Sequence, residues 1–186
     1  MKRVDYLLQR WRIAQAAPYI RQGARVLDIG CADGALFKQL GLRIGQGVGI
    51  DPELSHVVEV SGSRHRLLPG TFPFDLPPLE PFDAITMLAL LEHIPSEQLA
   101  AVRDRCVQLL KPGGVLIVTV PSPLVDHLLH AMKFFRIVDG MDLDAHTGFD
   151  VATTPLLFSA GGLRVIKAKR FELGLNHLFV FDRPAA

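Results

Sequence analysis

Apolar positions along this chain fall into two rhythms. From residue 25 onward, short apolar runs alternate with longer stretches at helical spacing, and each run is bounded by Gly, Pro or Asp. That rhythm predicts strands joined by helical crossovers, and therefore a parallel sheet. The runs predict strands over 25–29, 47–50, 66–68, 82–87 and 115–120. The pieces "AITMLAL" and "VLIVTV" are apolar on both faces, as expected of strands that helices cover from both sides. Between them "SEQLAAVRDRCVQLLKPGG" reads as a helix. Ser96 stands as its N-cap, Leu99, Val102, Cys106 and Leu110 repeat at helical spacing, and Pro112 with two glycines ends it.

Beyond the fifth strand the pattern changes. Residues 121–150 form a long insert, followed by a short helix near 155–160 and two strands, "LRVIKAKRF" and "NHLFVFD". Only "ELGL" separates these strands, which predicts an antiparallel hairpin. The expected fold class is α/β, a doubly wound, mostly parallel sheet with one reversed strand near its edge. One domain is expected over 1–186, with a helical segment at 1–22. There Val4, Leu7, Leu8 and Trp11 recur at helical spacing beside Arg3, Arg10 and Arg12. Two readings of that stripe stand: a helix packed on the core, or a lid over a ligand.

Composition narrows the function. With 186 residues, 49% hydrophobic content and a mean hydropathy of +0.27, the chain suits one well-buried domain. Lys and Arg number 20 against 19 for Asp and Glu, so no basic excess points to nucleic acid as a partner. No run is long enough to cross a bilayer, and "MKRVDYLLQRWRIAQ" lacks the apolar core of a signal peptide. Cys31 and Cys106 form no metal-ligand pair and suit a reducing compartment, with the cytoplasm as the expected location.

The chemistry concentrates in "VLDIGCADGALF". A strand that turns sharply into a helix through Gly30, Cys31, Ala32, Asp33 and Gly34 lets a ligand approach the backbone at the carboxyl edge of the sheet. The N–H groups opening the next helix suit a carboxylate or phosphate. Then "GVGIDPEL" places Asp51 at the end of the second strand, where an acid accepts hydrogen bonds from ribose hydroxyls. A glycine-rich turn alone is weak evidence, whereas the turn followed by the acid about 20 residues on is strong.

With these residues in place, the sequence resembles the class I S-adenosylmethionine-dependent methyltransferases of the small-molecule type. "VLDIGCADG", including Asp28, is similar to the family's first motif, "GIDPE" to its ribose-binding acid, "FDAITMLALLEHIP" to its fourth strand and turn, and "LLKPGGVLIVTVPSP" to its fifth. The resemblance implies a seven-stranded sheet with an antiparallel last strand, S-adenosylmethionine as cofactor, and no metal. It also implies cofactor contacts from Asp28, Gly30, Cys31, Ala32, Asp33, Gly34 and Asp51. Two departures follow. Ala32 replaces the motif's middle glycine, which suits a negative φ there. Thr71 stands where many relatives place an acid, so adenine would rely on backbone groups and on apolar walls such as Pro52, Phe72 and Leu88.

A nicotinamide-dependent oxidoreductase shares the sheet and the ribose acid, but its G-x-G-x-x-G spacing is absent: Gly30 and Gly34 lie four apart. A protein that binds S-adenosylmethionine without turnover remains the other alternative. For the enzyme, the family's reaction is in-line displacement at the sulfonium methyl, in which positioning supplies much of the acceleration, roughly 7 to 11 kcal/mol in favourable models. If the acceptor is a hydroxyl, His93 is the first candidate base and His146 the second. The other reading of Glu92 and His93 is that they cap the next helix. The insert carries an apolar face of Leu124, Val125, Leu128, Leu129, Met132 and Phe135, expected either to cover the cleft and select a small hydrophobic or lipid-like acceptor, or to pack against the sheet or a second copy of the chain.

Overall fold

The computed structural model describes residues 3–60, 62, 64–122 and 150–185. Helix α1 (Arg3–Ala16) precedes strand β1 (Ala24–Ile29), helix α2 (Ala35–Leu40) and strand β2 (Ile44–Asp51). Strands β3 (Val58–Val60), β4 (His65–Pro69) and β5 (Phe82–Leu88) follow. Helix α3 (Leu99–Leu109), strand β6 (Leu110–Pro121), helix α4 (Thr153–Ser159) and the hairpin of β7 (Arg164–Phe171) with β8 (Asn176–Asp182) complete the described elements. The sheet order is β3-β4-β2-β1-β5-β6-β8-β7. β4, β2, β1, β5 and β6 pair in parallel, while β8 runs antiparallel to both of its neighbours, as the short "ELGL" connection predicts.

One strand was not anticipated. β3 pairs antiparallel to β4 and makes the sheet eight-stranded, with a second reversed strand at the opposite edge. Its three residues are too few to show an alternating pattern, and only the open edge of β4 gives them a partner.

Two apolar clusters lie on the two faces of the sheet. One gathers Leu27, Ile29, Ile85 and Val118 with Val102 and Cys106 of α3 and Phe158 of α4. The other gathers Val26, Ile117, Leu178 and Val180 with Ile13 and Ala16 of α1 and Phe37 of α2. The residues of α1 that meet the core are thus Ile13 and Ala16, continued by Ile20, whereas Leu7 and Trp11 of the expected stripe are exposed. α1 is fastened at both ends of that contact: Gln39 Nε2 donates to the Arg10 carbonyl at 3.1 Å, and Lys169 Nζ donates to Gln15 Oε1 at 2.7 Å.

The segment around α3 corrects two further expectations. Ser96 does not cap it: Ser96–Gln98 forms a separate 3-10 turn, and Ser96 Oγ donates to Glu97 at 3.3 Å. The helix also ends before Pro112, because Leu110 already pairs with Phe82 at the start of β6. Lys111 to Gly114 instead form an irregularity between the Phe82–Leu110 and Ala84–Val115 pairings. Prolines and glycines are accommodated at such bulges.

Among the described residues, no helix is long and apolar enough to cross a membrane. The insert's apolar face and His146 lie outside the described residues.

Candidate functional site

The order of the sheet locates the site. From β1 the chain crosses first to β2 on one side and later to β5 on the other, so the end of β1 is the point where the winding reverses. At such a point the crossovers diverge and leave a crevice beyond the carboxyl ends of the strands. The Gly30–Gly34 turn begins there.

Backbone geometry explains the small residues of that turn. Gly30, Ala32 and Gly34 have φ of +75°, +45° and +77°, a left-handed alternation between strand and helix. A Cβ on Gly30 would be strained by the positive φ and would also stand 3.0 Å from Leu90 Cδ1, which would have to shift. The negative φ expected at Ala32 is not found. Its methyl group sits in a left-handed conformation that glycine would adopt without strain. The turn is tied to β2: Gly30 N–H donates to the Ile50 carbonyl at 2.9 Å and Ala32 N–H to Asp51 Oδ2 at 2.8 Å.

Asp51 is buried at the end of β2, with Oδ1 accepting from Glu53 N–H at 2.9 Å. Each carboxylate oxygen therefore carries one backbone hydrogen bond and keeps acceptor capacity for another. Gly70 N–H donates to the Asp51 carbonyl at 3.1 Å, which starts the Thr71–Phe72 turn beside this acid. Phe72 is buried; Thr71 is exposed, and its N–H closes on Asp75 Oδ2 at 2.7 Å. Pro52 is exposed.

A cleft of about 180 Å³ opens over the turn. Asp28, Gly30 and Cys31 form its floor, and Leu88 and Ala89 enter from the end of β5. The α1 wall consists of Gln9, Arg12 and Ile13. The N-terminal helix thus packs on the core and also walls the cleft, through a face different from the expected stripe. Among the described residues, the buried Gln9 Oε1 and Arg12 Nε have no hydrogen-bond partner. Buried polar atoms left without partners are costly unless a ligand completes them.

Asp28 is the buried acid opposite this wall. Burial pushes its carboxyl up to about 7; the 2.6 Å hydrogen bond from Thr86 Oγ1 opposes that shift and the charge of Asp51 adds to it. Cys31 is buried, and burial raises its thiol, so it contributes shape rather than a nucleophile. Asp33 points away and pairs with Lys38 Nζ at 2.7 Å.

His93 stands in a 3-10 turn, Leu91–His93, after β5, with Nε2 3.9 Å from Glu92 Oε1. It does not line the cleft. Neither Glu92 nor His93 caps α3, since the Ser96–Gln98 turn intervenes and neither start has a side-chain cap. In the sequence Arg12 stands only as a charge beside an apolar stripe, and nothing singles out Gln9. No local motif marks either residue, because the packing of α1 brings them to the cleft.

Residues 2–153 match the family described as the methyltransferase domain. The chain belongs to that family. It is 35% identical over 127 residues to a protein named ubiquinone biosynthesis O-methyltransferase from Xylella fastidiosa, a match covering 63% of this chain and 46% of that one. A protein of the same name from Psychrobacter cryohalolentis is 32% identical over 130 residues, covering 63% and 50%. The chain thus matches about half the length of these curated relatives. Among solved structures, the N-methyltransferase NodS from Bradyrhizobium japonicum with S-adenosylhomocysteine has a TM-score of 0.68 at 17% identity, covering 95% of this chain and 88% of that one. Magnesium protoporphyrin IX methyltransferase from Synechocystis has a TM-score of 0.69 at 14% identity, covering 98% and 88%. At those identities the likeness concerns the fold.

Proposed function

We propose that this chain transfers a methyl group from S-adenosylmethionine to a small hydrophobic or lipid-like acceptor. The observation that carries this reading is the match between the cleft and an amino acid joined to a nucleoside. Asp28 and Arg12, an acid and a base, stand on β1 and α1 of one cleft, and Asp51 keeps acceptor capacity at the end of the next strand. Arg12 is suited to the methionine carboxylate through its buried, unpartnered Nε, and Gln9 Oε1 and Asp28 to the ammonium. Asp51 is suited to the ribose hydroxyls, with Gly30, Ala32 and Gly34 giving backbone access. The start of the Thr71–Phe72 turn beside Asp51 supports Thr71, Phe72 and Pro52 as neighbours of the adenine.

The bound cofactor supplies an electrophilic sulfonium methyl. What remains for the protein is orientation and exclusion of water, so no nucleophilic side chain is required. Leu88, at the end of β5, gives the cleft an apolar wall that supports a hydrophobic acceptor. For a hydroxyl acceptor, His93 is the base we assign, because it follows β5 at the carboxyl edge of the sheet, where the acceptor is expected. Two buried free cysteines support a reducing compartment such as the cytoplasm.

Incubation with methyl-labelled S-adenosylmethionine and a panel of phenols, amines and prenylated quinols tests this reading. Label in an organic product supports it. Cofactor binding without transfer to any acceptor supports the binding-protein alternative.

A further inference from the structure

Helix α1 has a second face. Ile13, Ala16 and the cleft residues Gln9 and Arg12 turn inward, whereas Leu7 and Trp11, one helical turn apart in a single row, stay 64% and 46% exposed. Tyr6 borders that row at 48% exposure, with the Arg10 guanidinium 5.6 Å over its ring. At the same spacing the row continues to Gln15, whose Oε1 accepts from Lys169 Nζ at 2.7 Å, and that ammonium also lies 5.8 Å from the Tyr19 ring centre. The exposed row thus runs up to β7.

Strand β7 is the edge of the sheet and carries charge to meet that row. Lys167 and Lys169 pair with Val180 and Leu178, so both lie on the face that α1 covers, and Lys167 is exposed. Residues 6–16 and β7 together hold six Lys and Arg and no Asp or Glu; taken from 20 against 19 in the whole chain, that leaves 14 against 19 elsewhere. A nearly balanced chain therefore gathers its cations here. Arg12 lines the cleft and Arg164 pairs with Asp182, which leaves Arg10, Lys167 and Lys169 beside the apolar row.

This combination selects its partner by chemistry. Tryptophan and tyrosine favour the boundary between lipid chains and water, and cations beside them favour anionic headgroups. A second copy of the chain adding to β7 would set like charges against each other along the edge. Nucleic acid would match the cations and leave the apolar row uncovered. We propose that the outer row of α1, with the lysines of β7, docks this protein on an anionic lipid bilayer. Because the inner face of the same helix walls the cleft, docking brings the cleft within one helix diameter, about 10 Å, of the lipid. A lipid-like acceptor then enters from the bilayer, and that step alone rests on the methyl-transfer reading.

Trp11 is the chain's single tryptophan, so intrinsic indole emission reports on this face alone. The full chain, without methyl donor, is titrated with vesicles of phosphatidylcholine containing roughly one third phosphatidylglycerol, and with vesicles of phosphatidylcholine only. Co-sedimentation and a blue shift of the emission are expected with the anionic vesicles, both weakened by high salt. Leu7→Ser should reduce vesicle affinity about tenfold and Lys167→Ser about fivefold. Absence of binding to anionic vesicles, equal binding to both kinds, or sedimentation with unchanged emission overturns the proposal. So does an emission shift with duplex DNA or polyglutamate and none with vesicles, which would assign the face to a nucleic acid or an acidic protein. None of these readouts involves methyl transfer, so the docking stands or fails apart from the proposed reaction.

Discussion

Asp51 Oδ2 accepts a 2.8 Å hydrogen bond from the backbone N–H of Ala32, so the acid at the end of β2 holds the left-handed turn at the end of β1. One carboxylate thereby shapes the glycine-rich turn and, in the proposed function, also takes the ribose hydroxyls. Asp51→Ala should lose both functions: cofactor affinity falls by at least tenfold, because charge-assisted hydrogen bonds are worth about 1.5 to 3 kcal/mol each. Asp51→Asn keeps an acceptor for one of the two N–H groups and should retain more stability than Asp51→Ala in thermal denaturation.

Ala32 itself is the second test. A left-handed alanine costs roughly 1 to 2 kcal/mol, and glycine gives back part of that through the freedom it has in the unfolded chain. Ala32→Gly should therefore raise stability by about 0.5 to 1 kcal/mol, measured by urea denaturation, and leave cofactor binding intact or tighter. Destabilisation would show that the methyl group is needed for packing in the turn.

Asp28 gives a pH signature. Its carboxyl is raised by burial from 3.8 to about 7, so the folded state holds a proton that the unfolded state has lost. Its contribution to stability is full below pH 3.8 and is lost as pH rises to about 7, at up to roughly 1.4 kcal/mol per pH unit. Asp28→Asn should abolish that slope and raise stability at pH 8, while weakening the cofactor. An ammonium beside Asp28 favours the carboxylate, so binding S-adenosylhomocysteine at pH 7 should release about half a proton. Calorimetry in buffers of different ionisation enthalpy measures this directly.

Much of this site was legible in the sequence because its signals are local. The strand, the turn through Gly30 to Gly34 and the following helix lie in one contiguous stretch, and Asp51 ends the next strand. The α1 contribution was not legible. Leu7 and Trp11 are more conspicuous than Ile13 and Ala16, but helical periodicity alone does not say which stripe meets the sheet, and with the wrong stripe Arg12 points to solvent. The sign of φ at Ala32 likewise depends on its anchor to Asp51, a contact between strands. Glu172 is a single acid in a short hairpin connection, and only the folded β7–β8 turn shows that it is buried against Asn176.

At the amino end of β5, Asp83 accepts from Arg25 N–H at 2.8 Å and from Arg21 and Lys111, each at 3.0 Å. Burial pushes its carboxyl up, but these donors outweigh it and the net shift is downward. Its contribution to stability is therefore present above the ordinary carboxylate range and lost as pH falls through the depressed folded value. Asp83→Ala should destabilise by about 1 to 3 kcal/mol at pH 7, with the difference from wild type shrinking in acid and cofactor affinity unchanged.

For His93, base catalysis predicts that His93→Ala lowers turnover of a hydroxyl acceptor by about 10² to 10⁴ while S-adenosylhomocysteine binds as before. Steady-state kinetics across pH reads it. Equal rates at every pH would remove His93 from the chemistry.

The identity of the cofactor is tested most directly by calorimetric titration of the wild-type protein with S-adenosylhomocysteine and, separately, with NADH. One-site binding of S-adenosylhomocysteine that Asp51→Ala and Arg12→Ala each weaken, with no heat from NADH, is the predicted result. Binding of NADH without binding of S-adenosylhomocysteine would contradict it.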